Sequence, residues 1–162
     1  MSTAKSILAD VNLWLATLVS GHPHHAAATL WWRQLELPAG VRVAFCRLTQ
    51  LGLLRLLSSQ RVMGVNRMNH AQAWAAVRNV AAQEDVGFED EPDGIEEHLA
   101  ALVVPLASSP GFWSDAYLAA FAVAGGHRIA TFDHGFRRFE RLDLILLTDR
   151  DDAPATVEGS RE

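Results

Sequence analysis

Short apolar segments alternate along the chain with longer segments in which apolar residues recur every three or four positions. The short segments predict strands, at 6–9, 41–45, 86–88, 128–132 and 142–147. The longer ones predict helices, at 11–19, 24–35, 49–57, 71–82, 94–102 and 115–125. Because strands and helices alternate from end to end, the pattern predicts an α/β domain with a parallel sheet covered by helices on both faces.

The residues between these segments predict loops and helix caps. The polar stretch 58–69 is typical of a loop, and Asn69 and Asp93 are suited to cap the helices that follow them. No repeat and no linker divides the chain. We therefore expect one domain over residues 1–150 and a frayed polar tail over residues 151–162.

The amino-acid composition disfavours secreted and membrane proteins. Cys46 is the only cysteine among the 162 residues, so no disulfide can form within the chain. No apolar run reaches the ~18 residues that a membrane helix needs. The N-terminus also lacks the basic, apolar and small-residue order of a signal peptide. We therefore expect a cytoplasmic protein without membrane contact.

The distribution of charge leaves room for a nucleic-acid ligand. A net charge of −5 argues against binding by bulk electrostatics. Many of the acidic residues, however, are concentrated between positions 84 and 97, and Arg137 and Arg138 belong to a basic patch near the end of the predicted domain. These two arginines are candidates for contacts to RNA phosphates, with an ordinary solvated turn as the alternative.

Three aspartates stand where strands give way to loops or helices. Asp10 follows the first predicted strand, Asp133 follows the strand at 128–132, and Asp115 lies at the head of a helix. An unpaired buried carboxylate costs several kcal/mol, and ligands of open parallel sheets bind at the carboxyl ends of the strands. The pattern therefore predicts that the three acids converge on a divalent cation. Taken singly, the same residues could be a helix cap, a turn residue and a partner of a helix dipole.

Clustered carboxylates are the ligands that Mg²⁺ or Mn²⁺ requires, because these hard ions prefer oxygen and retain several waters. Such an ion stabilises charge on phosphoryl oxygens and generates a nucleophile from water. The acidic constellation thus indicates hydrolysis of phosphodiesters. A phosphatase of the haloacid dehalogenase kind fits less well, because that class needs a second aspartate where this chain has Asn12.

Four segments that contain these residues resemble the PIN-domain family, and most of all its VapC-type toxin ribonucleases. They span residues 8–15, 45–57, 113–120 and 130–136. The resemblance implies a PIN-like fold with a five-stranded parallel sheet between helices. It also implies Mg²⁺- or Mn²⁺-dependent cleavage of RNA, neutralisation by a small VapB-like antitoxin, and a homodimer.

Residue roles follow from the resemblance by position. Asp10 and Asp115 match the metal-binding acids of the family, and Asp133 matches a further acid of the same catalytic cluster. Asn12 and Thr131 match polar residues that brace such a site by hydrogen bonding, a support that metal ligands commonly need.

One position departs from the family pattern. Gln50 stands where many PIN domains have a glutamate. Its amide could ligate weakly or hold a water at the edge of the site, but it cannot act as a general base. The substitution lowers the negative charge of the site and motivates an alternative function, a catalytically weak PIN module that binds RNA or an antitoxin partner.

Overall fold

The computed structural model describes residues 5–107 and 109–149, in which five short parallel strands form one sheet. Ser108 and the predicted tail at 151–162 lie outside the described residues. The predicted α/β architecture is confirmed, and the strand order is β3-β2-β1-β4-β5. The strands are β1 (Ile7–Ala9), β2 (Val43–Phe45), β3 (Val86–Phe88), β4 (Arg128–Thr131) and β5 (Leu144–Leu146).

Helices connect the strands along the chain, and within the described ranges none of them is long and apolar enough to cross a membrane. Short 3₁₀ turns occupy Gly64–Asn66 and His134–Arg138. The α-helices are α1 (Val11–Leu18), α2 (His25–Gln34), α3 (Arg47–Leu57), α4 (Gln60–Met63), α5 (His70–Ala81), α6 (Ile95–Val103) and α7 (Phe112–Gly125).

The predicted helix boundaries need three corrections. The predicted loop at 58–69 contains α4 and a 3₁₀ turn. Asp93 does not cap α6, because the capping residue is Gly94 in the left-handed conformation. Helix α7 begins at Phe112, three residues before the predicted start, because that ring is buried in the core and Gly111 turns the chain into the helix with a φ of 75°. The predicted cap at Asn69 is confirmed by a reciprocal pair of hydrogen bonds with Gln72.

The sheet separates two hydrophobic cores. Side chains alternate across β1, so Ile7 and Ala9 contribute to one core and Leu8 to the other. The first core is filled by α1, α2, α3 and α5, and Trp14 stacks there on Phe45 with ring centroids 3.9 Å apart. The second core lies under α6 and α7. Helices therefore cover both faces, and the polar residues of the site are confined to an edge.

The strand order creates a crevice beside β1. β1 pairs with β2 on one side and with β4 on the other, in a register that places Ala9 opposite Ala130. The crossover connections turn to opposite sides of β1 at this point, which is where open α/β sheets bind their ligands. β4 thus lies next to β1, on the side away from β2. The residues that follow β1 and β4 consequently meet at the carboxyl edge of the sheet.

Candidate active site at the carboxyl edge of the sheet

Asp10 is both the cap of a helix and a member of the crevice. Its backbone is extended (φ −62°, ψ 155°), and its Oδ1 accepts a hydrogen bond of 2.7 Å from the backbone N–H of Val11 at the start of α1. Its Oδ2 accepts a hydrogen bond of 2.8 Å from Thr131 Oγ1, at the end of β4. The capping role considered for this residue is therefore present, and it leaves the second carboxylate oxygen directed to the neighbouring strand.

Thr131 joins two of the three acids through one hydroxyl group. The residue is fully buried, and its Oγ1 accepts a hydrogen bond of 2.9 Å from the backbone N–H of Asp133 while donating to Asp10. Asp133 in turn caps the 3₁₀ turn at His134–Arg138, because its Oδ1 accepts a hydrogen bond of 2.7 Å from Gly135 N. Asp133 is exposed. The turn role considered for this residue is thus also present.

Asp115 lies in the first turn of α7 and forms an ion pair that the sequence did not predict. Its Oδ2 is 2.8 Å from Nη2 of Arg138, and only about a quarter of either side chain is exposed. Arg138 Nη1 also donates to Ser109 Oγ at 3.0 Å. The guanidinium carbon lies 5.2 Å from the ring centroid of Phe112 and 4.9 Å from that of Phe139.

The environment of Arg138 changes its sequence-based interpretation. In the described structure this arginine is bound to the protein's own acid, whereas Arg137 is exposed on the same 3₁₀ turn. Contact of either arginine with RNA phosphates stays a prediction. The structure shows the Arg138 guanidinium held beside the acidic cluster by four groups of the protein. These groups are Asp115, Ser109, Phe112 and Phe139.

The pKa values of Asp10 and Asp115 reflect the charges of neighbouring carboxylates. Burial, and then the charges of Asp10 and Asp133, raise the pKa of Asp115 to about 6, although Arg138 acts in the opposite direction. Burial also raises the pKa of Asp10, and the charge of Asp133 adds to that increase, while the hydrogen bonds from Thr131 and Val11 N offset part of it. The three acids are therefore electrostatically coupled, and one arginine does not fully compensate for their charge.

The donor set fits a hard divalent cation in its chemistry, because it consists of carboxylates with excess negative charge. The arrangement in the structure is not a closed metal site: within residues 5–107 and 109–149, no group of three or more His, Cys, Asp or Glu side chains could hold a metal ion as placed. Each of the three carboxylates has one oxygen or more engaged by a protein donor. A shared cation therefore has to use the carboxylate lone pairs that these donors leave open, or displace a donor.

The two amides predicted to support the site have different environments. Asn12 is exposed at the second position of α1, and among the described residues its side chain has no hydrogen bond. Gln50 is buried in α3, with 8% of its surface exposed, and its Oε1 accepts a hydrogen bond from Arg47 Nη1. The Arg47 guanidinium lies 4.8 Å from the centre of the Phe88 ring. Support of the site by either amide stays a prediction.

Some residues of the site carried little signal in the sequence. The spacing of Arg47 and Gln50, three positions apart on one helix, is a detectable signal for a side-chain pair. The contacts of Arg138 with Ser109 and Asp115 span 29 and 23 positions, and no local pattern indicates them. Only the tertiary structure reveals this ion pair.

Comparison with known proteins identifies the fold family. A family model of the PIN domain matches residues 7–142, which include the three aspartates and Thr131. The chain belongs to the PIN-domain family. Ribonuclease VapC41 of Mycobacterium tuberculosis is 38% identical to this PIN-domain protein over 145 residues, which cover 87% of the chain and 98% of that relative. Ribonuclease VapC33 of the same organism is 27% identical over 136 residues, with coverage of 84% and 94%.

A solved structure supports the same architecture. VapBC-1 from nontypeable Haemophilus influenzae aligns with this PIN-domain protein with a TM-score of 0.64 at 16% sequence identity. The alignment covers 87% of this chain and 97% of that one. The predicted PIN-like fold, a five-stranded parallel sheet between helices, is confirmed.

Proposed function

We propose that this chain is a Mg²⁺- or Mn²⁺-dependent endoribonuclease, which acts as the toxin of a VapBC-type toxin–antitoxin pair and is neutralised by a cognate antitoxin. The observation that carries the proposal is the acidic cluster at the carboxyl edge of β1 and β4, where the Thr131 hydroxyl links Asp10 to Asp133 and the charges of both raise the pKa of Asp115. The 38% identity to a relative named a ribonuclease supports the same activity over nearly the whole length of that relative.

Each residue of the cluster has a proposed role that follows from its position. Asp10 and Asp115 would hold the cation, with Asp133 as a further acid of the cluster. When bound, the cation supplies charge stabilisation at the phosphate and a more acidic water. Asp133 is exposed, and its Oδ2 has no hydrogen bond from any described residue, so this oxygen is available to accept a proton from an attacking water. Thr131 fixes the orientation of the Asp10 carboxylate.

Cleavage of a structured RNA tests the enzymatic proposal. The purified chain is expected to cleave the RNA with Mg²⁺ or Mn²⁺ and to stop when EDTA is added. An Asp10→Asn, Asp115→Asn double variant, purified in parallel, should lose the activity. Asp143→Asn is the matched control, because Asp143 is an exposed aspartate paired with Arg128 away from the crevice. Equal cleavage by the double variant and the unmodified chain would refute the proposal.

Growth of a bacterial culture tests the toxin assignment separately. Induction of the unmodified chain is expected to arrest growth, and induction of the double variant at equal protein level is not. Co-expression of the cognate antitoxin should restore growth. A cytoplasmic location stays a prediction from composition, and a homodimer and binding of the antitoxin stay predictions from the sequence resemblance. Size measurement of the purified chain with and without antitoxin checks the last two.

A second candidate function is a catalytically weak PIN module that binds RNA or an antitoxin partner. The observation in its favour is Gln50, which is buried and neutral where many PIN domains have an acid. Its amide oxygen is already occupied by Arg47. RNA binding by the unmodified chain without cation-dependent turnover would favour this alternative over the nuclease.

A further inference from the structure

Contacts other than the ion pair with Asp115 also hold the guanidinium group of Arg138 beside the acidic cluster. Nη1 donates to Ser109, and the Phe112 and Phe139 rings lie within about 5 Å of the guanidinium carbon. These contacts do not depend on Asp115. The positive charge therefore has support in the fold that is independent of the Asp115 carboxylate.

The Arg138 guanidinium binds a carboxylate that a divalent cation would also use. Nη2 of Arg138 is bound to Asp115 Oδ2 at 2.8 Å, so one of the two oxygens of a proposed metal ligand is already taken. A cation that binds Asp115 must use the other oxygen or displace the guanidinium. In the first case the guanidinium charge stays on Asp115 and repels the dication outside bulk water, and in the second case the contact between Arg138 and Asp115 is lost, so both cases weaken cation binding.

We propose that Arg138 is an internal counter-ion that competes with the divalent cation for Asp115 and so sets the cation concentration at which the site fills. The inference rests on the proposed cation-dependent function. In the metal-free protein, Arg138 neutralises part of the acidic cluster and occupies Oδ2 of Asp115. This accounts for an acidic cluster that has the right chemistry for a cation and lacks a closed geometry.

A simple positioning role for Arg138 makes the opposite prediction. If the arginine only oriented Asp115 towards the cation, its removal would weaken cation binding, as removal of residues that orient metal ligands does. If Arg138 competes with the cation, its removal tightens binding. The sign of the change in affinity therefore separates the two roles, and a change in fold stability alone does not produce the tightening.

Calorimetric titration with MnCl₂ at pH 8 and constant ionic strength provides the measurement, because Asp115 is ionised well above its pKa of about 6. Arg138→Met removes the charge and keeps an unbranched apolar side chain against Phe112 and Phe139. We expect it to lower the Kd for Mn²⁺ by about tenfold relative to the unmodified chain. Arg138→Lys retains a charge and should stay within about threefold.

Arg137→Met is the matched control for charge. It removes one positive charge from the adjacent, exposed position, where solvent screens the interaction, and should change the Kd for Mn²⁺ by less than about twofold. Circular dichroism verifies the fold of every variant. If Arg138→Met does not fold, Arg138→Gln replaces it, with the same expected tightening.

The possible outcomes separate this inference from the proposed function. An unchanged or higher Kd for Mn²⁺ in the folded, uncharged variant, with binding intact in the unmodified chain, overturns the counter-ion role and leaves the nuclease proposal standing. If neither the unmodified chain nor the Arg138→Met variant binds Mn²⁺, both the counter-ion role and the cation-dependent nuclease proposal are overturned. Tightening that is equal in Arg137→Met and Arg138→Met also overturns the inference, because the effect would then be one of net charge.

Discussion

Asp115 carries a negative charge that its surroundings disfavour, so neutralising it should stabilise the metal-free protein. The substitution Asp115→Asn keeps the shape of the side chain. A pKa of about 6 in place of the ordinary 3.8 corresponds to at most ~3 kcal/mol. Solvent reaches about a quarter of the side chain, and screening there reduces the expected gain to about 1–2 kcal/mol of unfolding free energy.

The pH dependence of this gain has a definite sign. Because the pKa of Asp115 is raised on folding, the native state binds the proton more tightly than the unfolded state does. The unmodified protein therefore loses stability as the pH rises from about 4 to about 6, and the loss is complete above that range. The difference between Asp115→Asn and the unmodified chain should be largest near pH 8 and small near pH 4.

Urea denaturation in the presence of EDTA at pH 8, 6 and 4 measures the effect. Asp143→Asn is an informative control, because Asp143 also pairs with an arginine, Arg128, but at an exposed position. Its removal should leave stability unchanged or reduce it by up to ~1 kcal/mol. A lower stability of Asp115→Asn than of the unmodified chain at pH 8 would refute the reasoning, since the ion pair with Arg138 would then outweigh the repulsion.

Three further substitutions test other contacts. Thr131→Val removes the hydroxyl that links Asp10 to Asp133 N. It should lower the unfolding free energy in urea by about 1–3 kcal/mol and weaken Mn²⁺ binding about tenfold or more. An unchanged stability and Mn²⁺ affinity would contradict the bracing role. Gln50→Glu adds a carboxylate and should raise both Mn²⁺ affinity and RNA cleavage, whereas no change would place Gln50 outside the site. Gly125→Ala introduces a Cβ that overlaps the buried ring of His127. It should lower the unfolding free energy by about 1–3 kcal/mol, which is measured as a lower Tm. An unchanged Tm would mean that the His127 ring moves without cost.

The sequence was sufficient for the architecture because its local patterns agree with the tertiary structure. The apolar strands are covered on both faces, so they form continuous apolar runs that are easily recognised. Asp10 and Asp133 follow such runs directly, which made the shared edge of the sheet predictable. The register of β1 and β4 then brings Thr131 next to Asp10 without any further signal.

The details that could not be predicted depend on contacts between distant side chains or on very short elements. Helix α4 has four residues, fewer than a periodic pattern needs to be recognised. The start of α7 depends on burial of Phe112 against the second core, which propensity does not encode. The pairing of Arg138 with Asp115 depends on the path of the chain after β4, which places an apparently solvated arginine against two aromatic rings.

The hydrogen bond between Thr131 and Asp10 limits when the acidic cluster can form during translation. Asp10 leaves the ribosome early, but its hydrogen-bond partner is encoded 121 positions later. Until β4 has emerged, β1 lacks one of its two neighbouring strands and the acids have no common edge on which to meet. A growing polypeptide therefore cannot assemble this cluster before residue 131 is available, and incomplete translation products that stop earlier are expected to be inert.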